Sequence, residues 1–329
     1  MLNAIGIAYK RLNKSDDALR YYREALDVRR TLGYKRGVAA TLTEIGQIQS
    51  ELQRTDEAMA SFNEALDIRR ATGDTQGVGN TLLELGRLHE KRNDPAKALE
   101  LFRESLQVQI DAGNENYQGL LLHNIGAMHQ LLGRYDDATT YFQRALEIRT
   151  RSKVAVDMAE TLHGLGETEL RTGRLEESLS HFMKALELRR SVDDRRGSGK
   201  ESAGLSTVFA AQGRYKAALD AAGEAVNALR AEKDQSGLAE ALVVQAAASS
   251  ALGKGEQAQT LLQEALGMAA QLKQPRLETL VEIARAQAFM NDGDHAKARA
   301  SLERAARCAR PRGSPVRGSL APSRGRRRS

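Results

Sequence analysis

Tryptophan is absent from this chain of 329 residues, proline occurs five times and cysteine once. Each scarcity excludes something. A single cysteine, Cys308, rules out an internal disulfide framework and points to a reducing compartment, the cytoplasm. So little proline leaves long helices uninterrupted. No run approaches the ~18 apolar residues of a membrane-spanning helix. The N-terminus lacks the basic and apolar regions of a secretory leader. Aromatic residues make up only 4% of the chain, so the place of each ring is informative.

Charge is also scarce where it first looks abundant. The net charge is +6. Residues 311–329 hold six arginines (Arg312, Arg317, Arg324, Arg326, Arg327 and Arg328) and no acid. The other 43 basic residues are matched by 43 acidic ones. The excess therefore sits in a tail rich in Arg, Ser, Gly and Pro, which is expected to be disordered. The body of the chain offers no electrostatic case for nucleic acid, which is expected to bind only through this tail if at all.

What is present is a period. Ala18 returns as Ala58, Ala98, Ala138, Ser178, Ala218, Ala258 and Ala298, a step of 40 residues without insertion or deletion. Ala25-Leu26 returns as Ala65-Leu66, Ser105-Leu106, Ala145-Leu146, Ala185-Leu186, Ala225-Val226 and Ala265-Leu266. A period of this size means units that bury their apolar faces against their neighbours. Within a unit, Val38, Leu42, Ile45, Ile48 and Leu52 trace one helical face, and Met59, Phe62, Ala65 and Leu66 trace a second. Between them Thr55 reads as an N-cap, with Asp56 and Glu57 in the first turn. Asp94 reads as a cap followed by Pro95. Arg69-Arg70 suit a helix C-terminus, and Gly33, Gly73 and Gly113 suit a left-handed closing residue. Each unit is thus a hairpin of two helices of roughly 15 residues.

Two phases describe the packing. Gly6, Gly46, Gly86, Gly126 and Gly166 share one place on the first helix, followed by Ser206, Ala246 and Ala286. Tyr22, Phe62, Phe102, Phe142 and Phe182 share one place on the second, followed by Ala222, Leu262 and Leu302. The glycines let the second helix come close, and the rings are core. The Ala-rich last three units are expected to bury less surface and to be less stable.

The pattern Leu42-x-x-Ile45-Gly46-x-x-Gln49 followed by Ala58-x-x-x-Phe62-x-x-Ala65 resembles the tetratricopeptide repeat. The 40-residue period is similar to the longer-helix subclass of G-protein-signalling modulators and bacterial signalling regulators. The resemblance covers residues 1–308. It implies an all-α, right-handed superhelix, a solenoid of about eight hairpins. Their expected bounds are about 1–33, 34–73, 74–113, 114–153, 154–193, 194–233, 234–273 and 274–310, with 311–329 as the tail. Met1 falls inside the first helix by phase, as if about seven residues of that helix were missing.

Several constellations bear on catalysis. Gly197-Ser198-Gly199-Lys200 suggests a phosphate loop, but Asp194 and Glu201 stand where Gly and Ser or Thr are needed. By phase it falls in the loop between units. His123 and His163 lie one repeat apart, as do His89 and His129. Such pairs fall short of the four ligands of structural zinc, and no metal or cofactor is expected. His89 and His129 read as packing residues, and His123 and His163 as lining the inner surface. No catalytic constellation survives, so an enzyme is not expected.

In the family the resemblance names, first helices line a concave groove that holds a peptide or partner helix. Carried over by phase, the groove comprises Asn80, Arg87, His123, Asn124 and His163, rimmed by Thr43, Gln47, Glu84 and Lys91. Asn can both donate to and accept from a peptide backbone, and Arg can hold a carboxylate. The clamp of chaperone-binding members is not reproduced, since Leu83 and Ala127 occupy two of its places. The expected function is a scaffold or regulatory module in signalling, with a protein or peptide partner and no membrane. The alternative is the sensory or docking region of a larger kinase, cyclase or transcriptional regulator.

Overall fold

Turns set the helix lengths. The computed structural model describes residues 1–309, in which fifteen three- or two-residue turns each hold one residue at positive φ, between 53° and 79°. These residues recur every 20 positions: Asn13, Gly33, Gln53, Gly73 and so on to Gly293. Seven of them are not glycine, among them Lys153, Lys233 and Lys273, which hold the left-handed geometry at a steric cost. With turns this tight, the helices run longer than the apolar pattern suggested, 17 or 18 residues in all but the first and last of those described.

Two compact units divide the chain, the first ending at Asp194 and the second beginning at Arg195, between repeats five and six. The first unit holds α1 (Leu2–Arg11), α2 (Ser15–Thr31), α3 (Lys35–Glu51), α4 (Thr55–Thr72), α5 (Thr75–Lys91), α6 (Pro95–Asp111), α7 (Glu115–Leu131), α8 (Tyr135–Ser152), α9 (Ala155–Arg171) and α10 (Leu175–Ser191). The second holds α11 (Arg195–Ala211), α12 (Tyr215–Ala231), α13 (Gln235–Ala251), α14 (Gly255–Leu272), α15 (Pro275–Asn291) and α16 (His295–Cys308). No strand occurs among the described residues. Within each unit every helix packs on the next along the chain, so each unit is a run of antiparallel hairpins. The basic tail lies outside the described residues.

Helix starts follow local chemistry. Asp74, Asp94, Asp234 and Asp294 accept from the backbone N–H three residues on, at 3.0 to 3.2 Å. Pro95 opens α6 where its missing N–H costs nothing. Thr55 differs from expectation: it is the first helical residue of α4, the preceding Arg54 is the N-cap, and no side chain caps. Gly197–Lys200 also differs, since it lies within α11 rather than in a loop. Gly199 is there for packing, because a Cβ would lie 2.8 Å from Leu229.

The core rests on the glycine and aromatic phases. Tyr22, Phe62, Phe102, Phe142 and Phe182 are fully buried. A Cβ on Gly46 would lie 3.0 Å from the Phe62 ring, and one on Gly126 2.8 Å from Phe142. The ring also reaches the next repeat, for a Cβ on Gly164 of α9 would lie 2.7 Å from Phe142. That ring thus joins its own hairpin to the following one. In the second unit Ala222 and Leu262 take the ring's place and are buried, whereas Leu302 is 52% exposed. No helix among the described residues follows α16 to cover it.

Arginines seal the junctions. Arg29, Arg69 and Arg149, at the ends of second helices, turn inward rather than serving only the helix dipole. Arg69 Nη1 donates to the Gly77 carbonyl (2.8 Å) and the Thr81 hydroxyl. Arg149 Nη1 donates to the Asp157 carbonyl (2.8 Å) and Thr161 Oγ1 (2.7 Å). Arg29 does the same to Gly37 (2.9 Å) and Thr41. Burial pulls the pKa of Arg69 and of Arg149 below the usual guanidinium value. A second ladder runs on the exposed side, where Arg30 pairs with Glu64 (2.5 Å) and Arg70 with Glu104 (2.6 Å).

Two substitutions probe the ring contact. Phe102→Ala leaves a cavity and is expected to cost about 3–5 kcal/mol. Gly86→Ala drives a methyl into the same ring and is expected to cost about 1–3 kcal/mol. Denaturant midpoints with unchanged slopes measure both, and a loss under about 0.5 kcal/mol in either contradicts the role assigned to the contact.

Candidate partner-binding face

The nine candidate residues all lie on first helices of the first unit: Thr43 and Gln47 on α3, Asn80, Glu84, Arg87 and Lys91 on α5, His123 and Asn124 on α7, His163 on α9. Lys91 is exposed and the other eight are half-buried. They occupy the helix face left over once Leu42, Ile45, Leu82, Leu85, Leu122 and Ile125 point into the core.

Most of their polar groups are already engaged. Gln47 Oε1 accepts from Lys10 Nζ (2.8 Å), which also pairs with Glu44 (3.0 Å). Tyr22 donates to that carboxylate at 3.5 Å, and burial together with Glu44 raises the tyrosine's pKa to about 12. Thr43 donates to its own helix at the Ala39 carbonyl. Asn80 Oδ1 accepts from Gln109 Nε2 (3.3 Å). Arg87 pairs with Glu84 (3.2 Å), and Lys91 donates to Ser50 Oγ of the preceding repeat (3.0 Å). His163 Nε2 stands 3.6 Å from Glu167, and its ring meets Phe182 edge-on at 5.4 Å.

Two residues differ. Asn124 makes no side-chain hydrogen bond among the described residues. Beside it, His123 packs its ring on Phe142 at 5.3 Å, and its buried Nδ1 has no hydrogen-bond partner. Burial, then the charges of Arg149 and His163, lower the His123 pKa from 6.5 to about 3. This imidazole is neutral at any ordinary pH.

The other histidine pair also has neighbours, His129 in packing and His89 beside a carboxylate. His129 is buried, stacks on Tyr141 at 5.1 Å and lies 3.3 Å from Asp137. His89 Nδ1 lies 3.1 Å from Asp94. Sequence reasoning missed Glu167, held by His163 and Gln130, which lower its pKa against the opposing effect of burial. It also missed Lys10 and Glu44, which tie the first two repeats. Long charged side chains at matching helix phases were the available signal.

A family model described as tetratricopeptide repeat matches residues 1–71, 37–111, 117–191 and 157–231. The chain belongs to the tetratricopeptide repeat family. Its fold class is the all-α solenoid of helical hairpins. No curated protein matches it in sequence. Among solved structures it is similar to aspartyl phosphate phosphatase F from Bacillus subtilis, with 14% identity over 90% of this chain and 75% of that one (TM-score 0.73). It is similar to a Rap protein complexed with competence and sporulation factor, with 13% identity over 90% and 85% of the two chains (TM-score 0.64). It is also similar to a signal transduction ATPase with numerous domains carrying a tetratricopeptide repeat sensor, from Pyrococcus horikoshii. That match has 16% identity over 88% of this chain and 44% of the other (TM-score 0.64). At such identities the likeness is one of fold.

The His123 environment has a pH consequence. Its folded pKa lies below the unfolded value near 6.5, so below pH 6.5 the unfolded chain takes up a proton that the folded chain refuses. Its contribution to stability is complete above pH 6.5 and falls by about 1.4 kcal/mol per pH unit as pH drops toward 3. Denaturation between pH 7 and pH 5 should show this slope, and His123→Asn should flatten it. An unchanged slope in the variant contradicts the burial argument.

Proposed function

We propose that this tetratricopeptide repeat protein is a non-catalytic interaction module in signalling. It holds a peptide or partner helix across the first-helix face of repeats two to five. The observation that carries the reading is the adjacent pair His123 and Asn124. On a face where neighbouring polar groups are mutually paired, the Asn124 amide stays unpaired, beside an uncharged His123 whose Nδ1 is shut off from solvent. The Asn124 amide can pair with a peptide backbone as donor and acceptor. Arg87, held by Glu84, presents one edge of its guanidinium to a carboxylate. The similar fold of a Rap protein complexed with a factor supports a binding role. No helix among the described residues is long and apolar enough to cross a membrane, which is consistent with a cytoplasmic partner.

A second reading, the sensor region of a larger signalling protein, is favoured by the likeness to the sensor-bearing ATPase, of whose chain 44% is covered. The reading frame upstream of Met1 distinguishes the two.

Asn124→Ala should weaken a partner recovered by pull-down about tenfold, and Arg87→Ala similarly, in line with anchors in desolvated interfaces. Arg70→Ala, which removes only an exposed pair with Glu104, should leave binding unchanged. Equal binding by all three folded variants, measured by calorimetry, contradicts the assignment of this face.

A further inference from the structure

One junction in the first unit is left open. Between repeats two and three, the start of α5 and the end of α6 border a recess of about 480 Å³. Val78, Val108 and Ala112 give it apolar surface, and Thr75 and Asp111 are exposed polar residues of its lining. At the next junction the same two positions are bridged. Arg151, at the end of α8, donates to Glu115, at the start of α7 (3.3 Å). Glu115 and Arg151 lie 36 residues apart, as do Thr75 and Asp111. No hydrogen bond joins Thr75 to Asp111, whose side chains are shorter than those of that pair. Elsewhere in the unit the later position holds Thr31, Ala71 or Ser191, so Asp111 is the one acid there.

The charges around the recess do not cancel. Arg69 Nε lies 3.5 Å from Asp74 Oδ2, and Arg70 pairs with Glu104 at 2.6 Å. Asp111 accepts from the neutral Gln107 amide (2.8 Å) and forms no ion pair among the described residues. One exposed carboxylate therefore stands beside apolar surface without a cation. That surface is more apolar than at the next junction, where Gln118 and Ser152 take the places of Val78 and Ala112.

We infer that this recess takes an arginine side chain of a partner protein, its stem along Val78, Val108 and Ala112 and its guanidinium on Asp111. An arginine stem covers apolar surface while its head stays at the water boundary. Its planar fork matches the two oxygens of a carboxylate. The chain itself supplies the precedent, for Arg151 spans the equivalent positions to reach Glu115. In the recess the acid is Asp111 and the partner brings the arginine. Arg69 and Arg70 do not expel it, because each already faces an acid. The recess shares no residue with the proposed first-helix face, so either assignment can fail without the other.

The test uses the full chain. One probe is a short peptide, acetylated and amidated at its ends, with a single arginine among alanines and glycines. The other is the same peptide with citrulline, which keeps the shape of arginine and loses its charge. The methyl resonances of Val78 and Val108 report occupancy. The arginine peptide is expected to shift them saturably. The citrulline peptide should bind about threefold more weakly or worse, as for a partly exposed ion pair. Asp111→Asn should weaken the arginine peptide by a similar factor. The double variant Thr75→Glu with Asp111→Arg installs the bridge of the next junction. It should abolish the shifts and melt no lower than the parent. The inference is overturned if the arginine peptide leaves both valines unmoved, if the citrulline peptide binds as well, or if either variant binds like the parent.

Discussion

The contact between a glycine on the first helix and an aromatic ring on the second carries the architecture. Only a residue without a side chain lets the Phe62 ring lie against the backbone at Gly46, and the same pairing recurs from Gly6 with Tyr22 to Gly166 with Phe182. Because a ring can also meet the first helix of the following repeat, as Phe142 meets Gly164, one side chain sets two helix distances. A lengthened turn or a displaced helix would move the ring off both partners. This explains a 40-residue period without insertions and turns that use Lys153 or Asp193 in a left-handed conformation rather than an extra residue.

Arginine clamps belong to the same junctions and vary with their partners. Where the second helix ends in Arg29, Arg69 or Arg149, a threonine stands twelve residues on to accept from it. Where the arginine gives way to Gln109 or Leu229, the threonine gives way to Leu121 or Ala241, both buried. A hydroxyl left in that core without its donor would cost more than it returned. The clamp and the ring work together: the ring fixes how near the helices lie, and the arginine satisfies the backbone carbonyls near their ends.

Much of this was legible in the sequence, and what was not has physical causes. The Gly and Phe phases locate the core because small and large residues alternate in register. Asp94 and Pro95 announce their helix because capping is local. Arg69 looked like a dipole cation because a charged residue at a helix end has two uses, and only the Thr81 in the next repeat distinguishes them. The proposed face was legible as a face but not as a set of pairings. Lys91 is engaged by Ser50 of the preceding repeat, and sequence phase does not encode how far a long side chain reaches across repeats, whereas Arg87 with Glu84 and His163 with Glu167 stand three and four residues apart on one helix. Leu302 kept the apolar phase yet lies exposed, because burial there depends on a following helix rather than on the residue.

The shared positions build the stack, and the remaining first-helix positions are left to vary, from Lys10 and Glu44 to Asn124 and His163. That division leaves room for recognition without disturbing the fold. Its foundation is the reciprocal fit of glycine and ring, and a double-mutant cycle at Gly46 and Phe62 tests it most directly. Gly46→Ala with Phe62→Leu recreates the Ala246 and Leu262 pairing of repeat seven. Denaturation free energies should show the double variant less destabilised than the sum of the singles, by about 1 kcal/mol or more. Strict additivity would mean that ring and glycine act independently, and would contradict the account.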